Sequence, residues 1–424
     1  MNRRKQGEQM PASTSPKLSV IIPTRERSDV LVHTLRTLVG QDYCDCEFLV
    51  SDNASQDTTK DVVASFNDPR IRYISASSRL SMARNWDFAF SNARGSYVTC
   101  IGDDDGFIPG ALKGAMQLLE RSAMNALVWK KIEYTWPDYV DADRQNMISL
   151  NNSNYATRTS WGRGKLRQVM ASRDGYNALP CLYNGIIKKS LIDDLRTHSV
   201  NGVLFNAIAP DVFSSIVISR VVGEYLYTNY PFSVNGASRH SIGTAFMKVS
   251  ADKIHTDPST KFLAESECVY DSRLLLAPSI VNVVMGEYLL AKKYIPDLNL
   301  PEPSWRNYVK NLIKSAEKSP RSEDIYKSAE HTINCLNLDI QIPAKLTLKN
   351  PPPAPPQGIS GDRLNIFVSK DTVRNVYDAC QLVAGMIPSE PDKLMSFPFF
   401  GSCNRIAKFT FGEIKWLSRT WCLP

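Results

Sequence analysis

Short apolar runs and amphipathic stretches alternate along the first quarter of the chain. Residues 18–23 are almost continuously apolar, the pattern of a strand covered on both faces. Ser28 and Asp29 then mark a helix start, and Val30, Leu31, Leu35 and Leu38 recur at helical spacing until Gly40. The same sequence of signals predicts strands over 47–51, 71–74 and 97–101, each followed by a helix, over 58–66, 81–93 and from Pro109 to 121. Strand and helix alternating with short links predict an α/β fold: a mainly parallel sheet with helices on both faces.

From residue 126 the rhythm changes. Residues 126–129 read as another strand, 183–187 as a strand or a turn into one, and 189–195 as a helix. Pro210 opens an apolar helix over 212–222, and 225–234 looks extended. Residues 138–167 read as polar and loop-rich, 249–345 as mainly helical, and the prolines from Pro351 to Pro356 as a stiff extended spacer. The chain therefore divides into a loose tail (1–16), two sheet-forming halves (17–125 and 126–248), a helical extension (249–350) and a Pro-rich connector with its C-terminal segment (351–424).

Composition changes this picture little. With 424 residues, 43% hydrophobic and 22% charged, the chain is an ordinary globular sequence, which excludes wholesale disorder and a disulfide scaffold. Lys plus Arg exceeds Asp plus Glu by 50 − 43 = 7. That mild excess suits phosphates or an anionic membrane surface and gives no sign of nucleic-acid binding. The nine cysteines are scattered, with no Cys-x-x-Cys pair, so reduced thiols in a cytosolic protein are expected rather than a zinc site. Residues 1–16 lack the apolar core of a signal peptide. The apolar windows are interrupted, at 204–226 by Asp211, Arg220 and Glu224, and at 274–291 by Pro278, Asn282 and Glu287. A spanning helix needs about 20 nearly uncharged residues.

The chemistry collects at the expected C-terminal ends of the strands, where open α/β sheets bind ligands. Residues 23–27 follow the first strand, 52–57 the second, and Gly102, Asp103, Asp104, Asp105 and Gly106 the fourth. Three adjacent carboxylates repel one another, and each raises its neighbour's pKa unless a cation or hydrogen-bond donors compensate. Carboxylate oxygens suit Mg²⁺ or Mn²⁺. A solvated acidic turn capping the next helix is the alternative.

Four blocks in order carry a resemblance: residues 19–25, 50–55, 81–85, and Asp103, Asp104 and Asp105 followed by Pro109, Gly110, Ala111 and Leu112. Over residues 18–112, and more weakly to 245, the chain resembles the inverting transferases of glycosyltransferase family 2, with the GT-A nucleotide-sugar-binding fold. The resemblance implies that Thr24, Arg25, Glu26, Asp52 and Asn53 hold the nucleoside, with Arg84 and Asp103 beside it. It implies a divalent cation, Mg²⁺ or Mn²⁺, on Asp104 and Asp105, with Gly102 in place of the first Asp of the commoner motif. The base is expected at Asp211, beside the helix-opening Pro210, with a dipole-favoured cap as the alternative. Residues 235–241 resemble a loop that closes over the donor, which brings Arg239 and His240 to the diphosphate. Trp129, Tyr183 and Asn184 are candidates for the acceptor pocket, with core aromatics as the other reading.

Taken together, these features imply transfer from a nucleotide-sugar, most simply a UDP-sugar, to a glycan or lipid-linked oligosaccharide in surface-polysaccharide synthesis. Residues 17–125 become the donor half and 126–248 the acceptor and base half. Residues 396–424 hold Phe397, Phe399, Phe400, Phe409, Phe411, Trp416 and Trp421 among Arg405, Lys408, Lys415 and Arg419. That mix suits the inner face of the cytoplasmic membrane, and equally a helix packed on the body or on a second copy in a homo-oligomer. Two rivals remain: a non-catalytic sugar-nucleotide or glycan-binding module, and a phosphotransferase with an Asp nucleophile. The latter has Phe107 where its motif needs Thr or Val. No Gly-x-Gly-x-x-Gly follows a strand, which excludes a dinucleotide oxidoreductase.

Overall fold

The first apolar run forms strand β1 (Leu18–Thr24), and helix α1 (Ser28–Val39) follows it in this computed structural model, which describes residues 15–151, 155–241, 243, 246, 261–317, 319–342 and 354–388. β2 (Cys46–Asp52), α2 (Thr59–Ala64), β3 (Ile71–Ser75), α3 (Met82–Asn92) and β4 (Tyr97–Cys100) continue the alternation. Ser81 caps α3 by accepting from the Arg84 N–H, which satisfies a free first-turn donor. The next helix, α4 (Ala111–Ser122), starts two residues later than Pro109 suggests. Gly110 precedes it in a left-handed conformation, φ 76°, that separates the proline from the helix.

The later strands are β5 (Gly106–Phe107), β6 (Ala126–Trp129), β7 (Ile132–Thr135), β8 (Met147–Asn151), β9 (Thr157–Trp161), β10 (Gly185–Lys188), β11 (Glu224–Thr228), β12 (Ser233–Ala237), β13 (Gly358–Ser360) and β14 (Arg363–Phe367). Helices α5 (Gly162–Met170), α6 (Lys189–Thr197) and α7 (Pro210–Val221) lie among them. Eight strands form one mixed sheet in the order β3-β2-β1-β4-β10-β6-β11-β9, and six form a second, β13-β14-β8-β7-β12-β5. β1 is central and parallel to both neighbours: Ile21 pairs with Leu49 and with Cys100. β10 runs antiparallel to β4 and β6.

Alternation along β1 divides the core in two. Ile21 faces a cluster built with α3, α7 and the helices Ile280–Tyr294, Trp305–Ala316 and Ser322–Leu336. Val20 and Ile22 face the other, with α1, α4 and the helix Val376–Ala384. All three side chains are fully buried. Each such side chain contributes about 2–3 kcal/mol on area bookkeeping.

Three expectations are corrected. Residues 138–167 are not mainly loop: they supply β8, β9 and the start of α5. β9 has no apolar alternation because it is an edge strand paired only with β11. The segment after the prolines is not only connector and tail, since β14 pairs with β8 from Arg363↔Asn151 to Phe367↔Met147 and Val376–Ala384 packs on α1. Nor is residue 248 a break in packing, because Val309, Leu312 and Ile325 share one cluster with Phe213 and Ile216 of α7. Residues 396–424 lie outside the described residues. No helix among the described residues is long and apolar enough to cross a membrane.

Candidate active site

The parallel strands β1, β2 and β4 deliver their loops to one edge of the sheet, and a cleft of about 1160 Å³ opens there. The acidic triplet is buried rather than solvated: Asp103 is 3% exposed, Asp104 6% and Asp105 3%. Asp103 accepts from the Thr24 hydroxyl at 2.8 Å and from Arg27 Nη1 at 2.9 Å. Thr34 Oγ1 contacts the Asp103 and Asp105 carbonyls at 2.8 and 2.7 Å, which fixes the turn on α1. Asp104 Oδ2 accepts from the Ser238 hydroxyl at 2.7 Å.

Asp105 is placed differently. Its carboxylate accepts the Gly102 N–H, the Asn235 amide and the Gly236 N–H, each at 2.8 Å. It does not line the cleft, whereas Asp103 and Asp104 do. The expected metal pair is therefore divided. Asp104 faces the ligand space, and Asp105 ties the acidic turn to β12.

Electrostatics follow from this burial. Desolvation, then the neighbouring Asp105 and Asp103, push the Asp104 carboxyl well up; desolvation also raises Asp105. Burial alone would lower the Arg27 guanidinium, but Asp103 and Asp104 outweigh it and hold the charge. Asp104, pushed toward neutrality at the cleft, and Asp103 beside it, bonded to Arg27, make a donor set suited to a divalent ion held by one or two protein carboxylates plus substrate oxygens. Among the described residues no group of three or more His, Cys, Asp or Glu side chains forms a closed metal cage.

Close packing fixes the turn. A Cβ on Gly236 would lie 1.8 Å from the Asp104 carbonyl oxygen, and one on Gly102 2.4 Å from the Tyr183 hydroxyl. Only glycine permits these approaches. Gly102 thus leaves room for the Tyr183 hydroxyl.

Of the other expected site residues, Thr24, Arg25, Glu26, Asn53, Tyr183, Asp211, Arg239 and His240 line the cleft. Arg25 is held by Glu265 through two bonds, at 2.6 and 2.9 Å. Arg239 is exposed and bonds His240 Nε2 at 3.0 Å; its charge lies 3.6 Å from Asp29 and 3.5 Å from Asp138. Asp52 is buried below the cleft, accepting from Tyr73 at 2.6 Å and from the Ser55 hydroxyl at 2.5 Å. Arg84 pairs with Glu267, Nε to Oε2 at 2.8 Å, and not with the acidic triplet.

Two acceptor candidates are corrected. Trp129 is fully buried between Phe107 and Phe232, with its indole N–H on Ser233 at 2.8 Å. Asn184 is spent on the Trp129 carbonyl at 2.7 Å. Both face the interior because strands β6 and β10 are central in the sheet. Tyr183 does reach the cleft, stacked on Trp86 with centroids 6.0 Å apart and planes 8° apart.

Asp211 stands in the first turn of α7, and burial raises its carboxyl. Behind it lies Glu287, fully buried. Glu287 Oε1 accepts the N–H groups of Ile208 and Ala209, at 3.1 and 2.8 Å, and the Tyr270 hydroxyl at 2.8 Å, while Oε2 has no partner among the described residues. Burial pushes this carboxyl up to about 8. Glu287 thereby anchors the two residues that precede Pro210 and Asp211.

Sequence reasoning missed Arg27, Lys131, Asn235, Ser238 and Glu287. Arg27 lies two residues past the matching block 19–25, in the loop after the first strand, and only the fold brings it to Asp103. Glu287 carried one signal, a lone acid in an apolar helix.

Residues 19–194 match the family described as Glycosyl transferase family 2. The chain is 38% identical over 105 residues to a GalNAc(5)-diNAcBac-PP-undecaprenol beta-1,3-glucosyltransferase of Campylobacter jejuni, covering 24% of this chain and 34% of that one. It is 30% identical over 100 residues to a putative colanic acid biosynthesis glycosyl transferase of Escherichia coli, covering 23% and 36%. The chain thus spans about a third of the length of these curated relatives. Among solved structures, Staphylococcus aureus TarS 1–349 in complex with UDP is similar with a TM-score of 0.42 at 13% identity, over 77% of this chain and 97% of that one.

Proposed function

We propose that the protein, whose residues 19–194 match the family described as Glycosyl transferase family 2, is an inverting, metal-dependent glycosyltransferase. It moves a sugar from a nucleotide-sugar, most simply a UDP-sugar, to a hydroxyl of a glycan or lipid-linked oligosaccharide, in the synthesis of a surface polysaccharide. The observation that carries this reading is the buried acidic turn with Asp104 facing a large cleft that also holds Asp211.

The roles follow from placement. Thr24, Arg25, Glu26 and Asn53 surround the nucleoside. Asp52 lies one layer below and holds the second-strand loop through Ser55. Asp104 would hold the Mg²⁺ or Mn²⁺, with Asp103 beside it bonded to Arg27. The ion, when bound, neutralises charge developing on the leaving diphosphate. Arg239 and His240 contact that diphosphate from the β12 side. Asp211 accepts the proton of the attacking hydroxyl, and its raised pKa brings it nearer to a base working close to neutrality. Tyr183, backed by Trp86, offers an aromatic surface at the cleft to a sugar ring.

The reading puts the enzyme at the cytoplasmic face of the membrane, with the basic aromatic residues 396–424, which lie outside the described residues, as the proposed contact and self-association as their competing use. The test is nucleotide release from a panel of UDP-sugars with Mn²⁺ present. Turnover lost on chelation and in Asp104→Ala supports the reading. Turnover retained by Asp104→Ala in chelator refutes the metal role, and donor binding without turnover in every acceptor mixture would leave a binding module.

A further inference from the structure

The cleft has two unlike halves. The donor side is lined by Thr24, Arg25, Asp103 and Asp104. The lining contributed by the helical extension is mainly aliphatic and aromatic: Phe262, Leu263, Leu276, Ile280 and Val283 meet Ile208 beside Asp211, while the polar exceptions are Glu265, which is paired with Arg25, and Tyr270, which is bonded to Glu287. Ile280 and Val283 stand three apart on the helix Ile280–Tyr294, so they share one face.

This wall does not end inside the cleft. Leu276 is 37% exposed and Ile280 38%, and the adjoining Leu275 and Val269 are 44% and 79% exposed. Four of the nine exposed large apolar side chains among the described residues thus fall within residues 269–280. A concentrated apolar patch of this kind, running into a substrate cleft, marks a binding surface. Sugars present hydroxyls, which a wall of Leu, Ile and Val leaves without partners. A hydrocarbon chain is the occupant that matches it.

We propose that this wall is a subsite for the aliphatic chain of a lipid-linked acceptor, which leaves the cleft over Leu276 and Ile280 while its sugar stays at Asp211. The inference rests on the transferase reading and narrows it to acceptors that carry a lipid. It also gives the extension a role: residues 261–283 build the half of the site that chooses the acceptor.

The test is calorimetric titration of the full chain with decyl maltoside, kept below its micellar concentration, against maltose, with UDP as the donor-side control. The expected result is at least tenfold tighter binding of decyl maltoside. The double variant Leu276→Ser, Ile280→Ser loses that preference and keeps its UDP affinity. Both substituted side chains are partly exposed, so the variant retains its fold; unchanged UDP binding checks this. Equal binding of the two sugars by the wild type, or an undiminished preference in the variant, overturns the proposal. So does a dimer dispersed by the same variant with both sugars bound equally, which would assign the patch to a second copy. Each of these leaves UDP binding intact, whereas failure of the transferase reading itself shows as absent UDP binding.

Discussion

Glu287→Gln isolates the ionisation of one buried carboxyl. The folded protein holds the Glu287 proton up to about pH 8, against 4.5 for the free side chain. Between those values the folded state binds more protons than the unfolded chain, so stability falls as pH rises through the window. The full swing is (8 − 4.5) × 1.36, or about 5 kcal/mol as an upper bound. Gln cannot titrate. Its carbonyl oxygen keeps the three donors that Oε1 accepts, and its NH₂ takes the place of Oε2, which has no partner among the described residues. That unmatched donor costs about 1–3 kcal/mol at every pH. The assay is urea unfolding of both proteins across the window. The stability of the variant minus that of the wild type should rise by several kcal/mol from the acidic to the alkaline end. All other titrating groups are common to both, so the difference reports Glu287 alone. Parallel profiles would refute the argument that burial keeps this carboxyl neutral.

Asp211→Asn should lower turnover by about 10²–10⁴ with little change in donor affinity, measured by steady-state kinetics. In the wild type, activity should fall as pH drops through the raised pKa of Asp211, because only the ionised form accepts a proton. Arg27→Ala leaves Asp103 buried without its cation and should cost about 3–5 kcal/mol in denaturant unfolding, with Arg27→Lys recovering part of it. Gly236→Ala forces the Asp104 carbonyl to move; UDP-sugar turnover should drop at least about tenfold with the far-UV circular dichroism unchanged.

The parts of the fold that were legible are those coded locally. β1 reads as a strand because Val20, Ile21 and Ile22 are buried on both faces, and α3 reads as a helix because Ser81 caps it. β9 and β14 were not legible, since their strand character comes from partners on β11 and β8 rather than from their own alternation. The site divides in the same way. The cleft does gather Thr24, Asp103, Asp104 and Asp211, which motifs marked. Neither a family resemblance nor residue type says which way a side chain turns, so Asp105 was paired with Asp104 and Trp129 stayed a candidate for the acceptor beside its reading as a core aromatic. Glu287 belongs to the site only because the helix Ile280–Tyr294 packs beside α7 and its lead-in, a contact across 78 residues (287 − 209) that no local pattern encodes.

The pairing of β14 with β8 also governs the order in which the protein can be completed. Leu150 meets Leu364, a separation of 364 − 150 = 214 residues. A ribosome adding 5–20 residues per second needs roughly 10–40 s to cross that gap. Throughout it β8 presents an unpaired edge, the template on which foreign strands assemble. A chain that stops in the proline run never closes that edge, and it also lacks the helix Val376–Ala384 against α1. Shortened forms made to remove the aromatic tail should therefore keep everything through Pro388, or aggregation will be mistaken for a membrane phenotype.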